Sequence, residues 1–380
     1  MEKYSRITEG RATIFTYPST QYLDKFGRPA PWKAPVFYNP AGKTTRDLSV
    51  ALSSCTGRKI RMLDAMCGTG VRGIRVALEA NADRVVLNDI NPEAIALALL
   101  SSKENGVSDR VDLQSMGTNA LCALSDYSQG YDYVDIDAFG SCAPFVQNGL
   151  VAAANGGMLA ACSTDGANLC GNRPHALRKL YASFNRAADG RKEIGLRILI
   201  AFIILRAAPM DLAVNPVISY CHATYFRTHV LVRRSARAAN TQLNNLGFLS
   251  ACKHGSPSGY LPEPQCSECG TPSSAGPLYT GELCSKEWLT RVSEFVVSNL
   301  GDDATSELVE MLSAENALTQ PYVDLHRLAQ RIGIGSPSPR RVVSYLLTKG
   351  FRASLTHFSP TAIKTDATSE DLEEACMRTG

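Results

Sequence analysis

The stretch YDYVDIDAFGS, residues 131–141, closes a short apolar run with two carboxylates, Asp135 and Asp137, and an aromatic ring, Phe139. In open parallel sheets, ligands bind outside the carboxyl ends of the strands. Side chains two apart on a strand share a face, so Asp135 points the same way as Asp137 but lies deeper, where it orients the loop. An acceptor beside an aromatic face is what an exocyclic amino group on a planar base requires. The ring stacks on the base, and the carboxylate takes the N–H proton as the nitrogen attacks. The plainer readings are a helix N-cap for Asp137 and a core position for Phe139.

A second polar constellation lies upstream in DAMCGTGVRG, residues 64–73. Asp64 ends a strand, and Gly68, Gly70 and Gly73 follow with the spacing of a dinucleotide loop. Glycines allow a tight turn and a close approach of backbone to ligand, and the helix that follows favours a negative group at its start. Asp89, in LNDIN, closes the next strand, where an acid can hold both hydroxyls of a ribose. NAD enzymes share all of these features, and Asp64 and Asp89 would also serve as helix caps. The Asp137–Phe139 pair discriminates. It points to methyl transfer from S-adenosylmethionine onto an amino nitrogen rather than to hydride transfer.

These residues need a scaffold, and the surrounding text supplies one. IRMLDA (60–65), RVVLND (84–89), VDLQSM (111–116), YDYVDID (131–137) and MLAACST (158–164) read as strands. Helical spacing separates them in VRGIRVALEA (71–80), in PEAIALALLSSKEN (92–105), which has proline in its first turn, and from Pro144 onward. Such alternation predicts a Rossmann-like α/β fold, a parallel sheet with helices on both faces. VISYCHATYFRTHVLVRR (217–234) predicts an antiparallel hairpin closing the sheet edge. The polar stretch after it places a domain boundary near residue 236, giving domains 1–235 and 236–380.

Composition narrows the class. A chain of 380 residues with net charge +3 is too long for one ordinary core and too weakly basic to bind nucleic acid except through a local patch. The N-terminus has no apolar core of signal-peptide length, so a cytoplasmic location is expected. The longest apolar stretch, ILIAFIILRAAPM (198–210), falls short of the roughly 20 residues a membrane span needs and reads as a buried helix. Most of the 12 cysteines stand singly among small or apolar residues, as buried thiols do.

With these residues on the page, the chain resembles one family, the tRNA guanine-26 N2-dimethyltransferases, in its archaeal form. ITEGRAT (7–13), FYNPAGKTTRDLS (37–49), LDAMCGTGVRGIR (63–75), LNDIN (87–91), DAFGS (137–141), TDGANLCG (164–171) and THFSPTAIKT (356–365) resemble its motifs in order, over nearly the whole length. The resemblance implies a class I S-adenosylmethionine methyltransferase domain with a C-terminal tRNA-binding domain. It implies that Arg46 and Arg72 bind the methionine end of the cofactor, with Asp64, Gly68 and Gly70 forming its loop. Asp89 would hold the ribose, and Asn119 and Ala120 the adenine. Asp137 would be the catalytic acceptor, and Phe37 and Phe139 would sandwich the guanine. Two positions depart from the family pattern: Ala138 replaces a proline and Asn119 an acid.

The C-terminal part adds two further expectations. Cys266 and Cys269 form half a zinc knuckle, and Cys252 and His254 could supply the other half, with Cys284 a further candidate. One zinc ion is the metal such a set would take. PYVDLHRLAQRIGI (321–334) and SPRRVVSYLLTKG (338–350), with β-rich text behind them, look like a winged-helix module. Arg340, Arg341, Arg352, His357 and Lys364 are the expected RNA-backbone contacts, with Arg227, Arg233 and Arg234 adding to them. The partner is tRNA, with no membrane and no obligate protein partner. A methyltransferase for another RNA base and a non-catalytic RNA-binding protein remain the alternatives.

Overall fold

The computed structural model describes residues 3–123, 129–187, 189–222, 225–250 and 260–380. The chain opens with β1 (Ser5–Glu9) and β2 (Ala12–Thr16), an antiparallel hairpin. Helix α1 (Lys43–Ser54) leads into β3 (Ile60–Asp64), α2 (Val71–Glu79), β4 (Ala82–Asn88), α3 (Pro92–Glu104), β5 (Val111–Gln114), α4 (Thr118–Ala123), β6 (Tyr131–Asp137), α5 (Ala143–Ala152) and β7 (Ala153–Ser163). Then come α6 (Gly166–Leu169), α7 (Pro174–Tyr181), β8 (Phe184–Asn185), α8 (Arg191–Ala207), β9 (Leu212–His222) and β10 (Tyr225–Arg234). The central sheet is mixed and runs in the order β5-β4-β3-β6-β7-β10-β9. The five strands expected from the alternation are all present, and the hairpin β9–β10 is antiparallel as read.

Local chemistry explains the boundaries. The side chain of Asn91 accepts a hydrogen bond from Glu93 N at 3.0 Å, and Pro92 occupies the first position of α3, where its missing N–H costs nothing. Gly70 begins α2 with φ +78°, a conformation other residues rarely adopt. Gly73 lies so close to β4 that a Cβ would stand 2.3 Å from Leu87, so a side chain there would push the helix off the sheet.

The chain forms two compact units, each assembled from several stretches: 1–138, 145–161 and 290–306 in one, and 139–144, 162–289 and 307–380 in the other. This division differs from a single cut at 235. Residues before and after that position share a core in the second unit, where buried Arg197 of α8 donates to the carbonyls of Tyr279 (3.1 Å) and Gly281 (2.8 Å).

In the first unit, the β1–β2 hairpin is fastened to α3. Asn105 accepts from Thr13 N at 2.9 Å and donates to Thr13 O at 2.6 Å, while Phe15 N donates to Ser101 Oγ at 3.0 Å. That contact seats the hairpin turn, with Glu9, beside α2. The parallel register of β3 and β6 sets Asp64 directly opposite Asp135.

In the second unit, α8 is buried along most of its length, as the apolar run predicted. Among the described residues, no helix is long and apolar enough to cross a membrane. The unit continues through α9 (Ala236–Gln242), β11 (Leu246–Leu249), β12 (Tyr260–Leu261), β13 (Ala275–Tyr279), α10 (Lys286–Phe295), α11 (Asp303–Glu315), β14 (Val323–Asp324), α12 (Leu325–Ile332), α13 (Pro339–Thr348), β15 (Ala353–Leu355), β16 (Ala362–Thr365) and α14 (Ser369–Thr379), of which residues 290–306 pack with the first unit. Its C-terminal module packs α12, α13 and α14 through Leu325, Leu328, Val342, Leu346 and Leu372 beside a small sheet ordered β14-β16-β15.

Candidate active site

The first unit gathers its carboxylates around one guanidinium. Arg72, on the first turn of α2, donates to Asp137 Oδ2 at 2.5 Å and stands 3.5 Å from Asp135 Oδ1. Its other donor atom, Nη1, reaches Thr45 O (3.2 Å) and Ser49 Oγ (2.7 Å) on α1. Arg72 is buried, whereas the Asp137 side chain is 29 % exposed at the end of β6. Asp137 is therefore the carboxylate of this cluster that meets solvent, and Asp135 is enclosed behind it as the strand period implied.

Asp64 is enclosed too. Its Oδ2 accepts from Gly73 N at 3.3 Å, in the first turn of α2. Burial, and then the neighbouring Asp135 charge, push its carboxyl up to about 7, while Arg72 pulls the other way. Asp64 is thus buried behind the glycine turn and braces it through Gly73 N. Asp89 does similar work from the other side, accepting from Gly68 N and from Asn91 N, each at 2.9 Å. The capping alternative thus holds for both acids in part, and Asp89 keeps some exposure besides.

The loop itself turns tightly against a neighbouring segment. Gly68 has φ +53°, and a Cβ there would come within 3.2 Å of Phe37 O. The backbone of Phe37 thus borders the turn, and its ring is half-buried. Asn119 is exposed on α4; the side chain of Ala120 lies outside what the structure describes.

Arg46 is held by Glu9, a residue to which sequence reasoning gave no role. Nε and Nη2 of Arg46 lie 2.6 and 2.5 Å from the two Glu9 oxygens, a forked pair, and the guanidinium sits over the Tyr38 ring. Glu9 also takes Arg75 (3.1 Å) and the Tyr38 hydroxyl (2.9 Å). Burial opposes its charge, but Arg46 and then Arg75 more than offset that and hold the Glu9 carboxyl below its usual range. Arg75 in turn meets Asp47 at 2.6 Å and Glu79 at 2.8 Å. The signal for Glu9 was present in ITEGRAT, where an acid before glycine at a hairpin turn is an unusual thing to bury.

The second unit carries the rest of the acidic-aromatic motif. Phe139 is 75 % exposed, so the core reading of this ring is excluded. Gly140 follows with φ +92°. Behind the turn, Tyr181 and Asp165 form a hydrogen-bonded cluster that sequence reasoning passed over; its only trace was TDGANLCG.

The expected RNA contacts divide. Arg340 and Arg341 are exposed at the start of α13 and, with Arg378, line a surface cavity of about 410 Å³. Lys364 and His357 do not belong with them. The Lys364 ammonium is buried 2.7 Å from Glu193 Oε1, and the His357 ring is buried against Glu315 and accepts from Cys221 N at 3.1 Å. Lys364 pairs with an interior acid, the His357 ring sits between Glu315 and the Cys221 backbone, and neither side chain offers surface to a phosphate. Arg227 is likewise fully buried, whereas Arg233 is exposed. Arg352 is exposed but paired with Asp366 at 2.8 Å.

Of the expected zinc ligands, Cys252 and His254 lie outside the described residues. Cys266 is buried and Cys269 exposed, with its Sγ 3.1 Å from Thr271 Oγ1. Among the described residues, no group of three or more His, Cys, Asp or Glu could hold a metal.

A parallel-strand α/β unit with a glycine loop after its first parallel strand, an acid closing its second and a half-exposed acid ending its fourth defines a methyltransferase domain. The chain belongs to the family described as N2,N2-dimethylguanosine tRNA methyltransferase, whose model matches residues 17–377. It is 35% identical over 386 aligned residues to a tRNA (guanine(26)-N(2))-dimethyltransferase of Saccharolobus solfataricus, covering 99% of both chains. It is 34% identical to the protein of that name from Methanopyrus kandleri, covering 97% of this chain and 95% of that one. The fold matches the complex of Trm1 from Pyrococcus horikoshii with S-adenosyl-L-methionine at a TM-score of 0.84 and 28% identity, over 98% of this chain and 99% of that one.

Proposed function

We propose that this chain transfers methyl groups from S-adenosylmethionine to the exocyclic N2 of guanine-26 in tRNA. One observation carries the reading. Asp137 ends β6 with its carboxylate aimed by Arg72, and the exposed ring of Phe139 stands two residues further along the chain. An acceptor and a stacking face at that spacing suit an amino group on a flipped base.

S-adenosylmethionine supplies an electrophilic methyl group when bound; the remaining work falls to the chain. Asp137 accepts the proton that leaves N2 as the nitrogen becomes positive, which matters because guanine N2 is barely basic. Phe37 and Phe139 are the two rings we assign to stacking on the base. The Gly68–Gly70 loop, Asp89, Asn119 and Ala120 hold the nucleoside end of the cofactor. Arg46 and Arg72 would meet its carboxylate while keeping the acids that orient them, Glu9 for Arg46 and Asp137 for Arg72. The C-terminal module, which we read as winged-helix-like from its two helices and three-stranded sheet, presents Arg340 and Arg341 to the RNA backbone. One zinc ion at Cys252, His254, Cys266 and Cys269 would be a structural accessory to this domain.

The test uses purified protein, methyl-labelled S-adenosylmethionine, an unmodified tRNA transcript and its guanine-26-to-adenine counterpart, with nucleoside mass spectrometry as readout. N2-methylated guanosine that disappears in the counterpart supports the reaction and the position. Product that persists moves the target, and no transfer to any RNA overturns the enzymatic reading.

A further inference from the structure

The ring of Phe139 sits in solvent on a turn that Gly140 carries into positive φ, an arrangement that by itself would let the ring wander. The second unit does not leave it loose. Gly140 N donates to Thr164 Oγ1 at 2.8 Å, and Thr164 N donates back to Gly140 O at 2.8 Å, so one threonine satisfies both backbone groups of one glycine. One residue on, Ser141 Oγ lies 2.7 Å from the Tyr181 hydroxyl. That hydroxyl also meets Ser163 Oγ at 3.1 Å and both oxygens of Asp165 at 3.0 and 3.1 Å. Ser163 Oγ accepts from Cys142 N at 3.0 Å. Thus three consecutive residues of the turn are held by two consecutive residues at and beyond the end of β7: Gly140 by Thr164, Cys142 by Ser163, and Ser141 by Ser163 through Tyr181.

The cluster is built to be rigid. Tyr181 and Ser163 are fully buried, and the Tyr181 ring packs edge-on against Phe202 at 5.4 Å. Asn168 donates to Asp165 at 3.0 Å and fixes the acid that receives the tyrosine proton. A buried network with each member engaged has one arrangement rather than several. A solvated helix start needs no such apparatus; an exposed ring that must meet a base at a set distance does.

We propose that Thr164 and Tyr181 are positioning residues that mount the Phe139 turn, so that the ring holds the target base in register for methyl transfer. This rests on the reading of Phe139 as a base-stacking residue. The Tyr181 hydroxyl acts through Ser141 and Ser163, Thr164 acts through the Gly140 backbone, and neither touches the substrate.

The experiment is a double-variant cycle on the full chain, read as single-turnover methyl transfer to a tRNA transcript. Tyr181→Phe keeps the ring and its packing on Phe202. It should lower kcat about ten-fold while leaving the tRNA Kd within about two-fold, because misplacement by a fraction of an ångström acts on rate rather than on binding. Thr164→Val should do the same, and Thr164→Ser, which retains the hydroxyl, should restore the wild-type rate. Phe139→Ala combined with Tyr181→Phe should be no slower than Phe139→Ala alone. Should Tyr181→Phe fail to fold, Ser141→Ala removes the Ser141–Tyr181 contact from its less buried side. Effects that multiply in the double variant, or a Tyr181→Phe enzyme of wild-type kcat, would overturn the mount while leaving the function intact. A Phe139→Ala enzyme of wild-type rate would overturn the stacking role, and the mount with it.

Discussion

Arg72 Nη2 lies 2.5 Å from Asp137 Oδ2, across the gap between the first turn of one helix and the end of one strand. The same guanidinium bonds to Thr45 and Ser49 and faces Asp135, so the donor that meets the Asp137 carboxylate is itself fixed from three sides. Lysine keeps the charge but cannot reach those partners together. Arg72→Lys is expected to fold and to lose roughly 10- to 100-fold in single-turnover rate, as misaimed catalytic groups do. A wild-type rate would show that Asp137 is positioned without Arg72. Asp137→Ala is expected to abolish transfer and to leave tRNA binding intact.

Asp64 yields a prediction with a definite sign. Its carboxyl is raised to about 7 in the fold, from an ordinary value of 3.8. Between those values the folded chain holds a proton that the unfolded chain has released, so this group's contribution to stability declines as pH rises from about 4 to about 7 and is constant beyond. Asp64→Asn keeps an acceptor for Gly73 N and does not titrate. Its melting temperature relative to wild type should be least favourable near pH 4 and improve steadily to pH 7. Thermal melts across that range decide the matter: a difference that is flat with pH, or that moves the other way, refutes the assignment.

Glu9 closes a buried cluster with Arg46, Arg75 and Tyr38. Removing one member of a buried ion pair typically costs about 3–5 kcal/mol, because the other charge stays behind without water. Glu9→Ala is expected to lower the denaturant midpoint correspondingly and to weaken cofactor binding through Arg46. Calorimetric titration with the cofactor would show the second effect. Unchanged affinity in a folded variant would separate Arg46 from the cofactor site.

The basic residues of the C-terminal module should sort by burial. Arg340→Ala and Arg341→Ala remove exposed charges and should each lessen the slope of log affinity for tRNA against log salt by about one, with stability unchanged. Lys364→Met strips a partner from buried Glu193 and should lower the melting temperature instead. A Lys364→Met protein of normal stability with a lessened salt slope would restore that lysine to the RNA surface.

The distribution of legible and illegible features follows from the range of the forces involved. Strands, helices and the glycine loop depend on residues near in sequence, through periodicity, caps and turns, and the reading of β3 to β6 from the text matched the fold to within about two residues. The boundary of β7 was missed at its start, because AANGG carries none of the β-branched residues that mark strands. The acidic motif at 135–139 announced a site because two acids and a ring at the end of an apolar run have few other uses.

Charged residues are another matter. The sequence by itself determined the fold class, the family and the order of the motifs along the chain. Only the tertiary structure decided which charges face water. Lys364 and Arg341 look alike in the text, yet one is sealed against Glu193 and the other lies open on α13. Arg46 and Glu9 are 37 residues apart, and although ITEGRAT marks the acid, nothing near it names Arg46 as its partner. A charge enters the interior only where an opposite charge awaits it, and that partner is brought by the packing of distant segments. Periodicity and turn chemistry, which act over a few residues, carry no record of such partners.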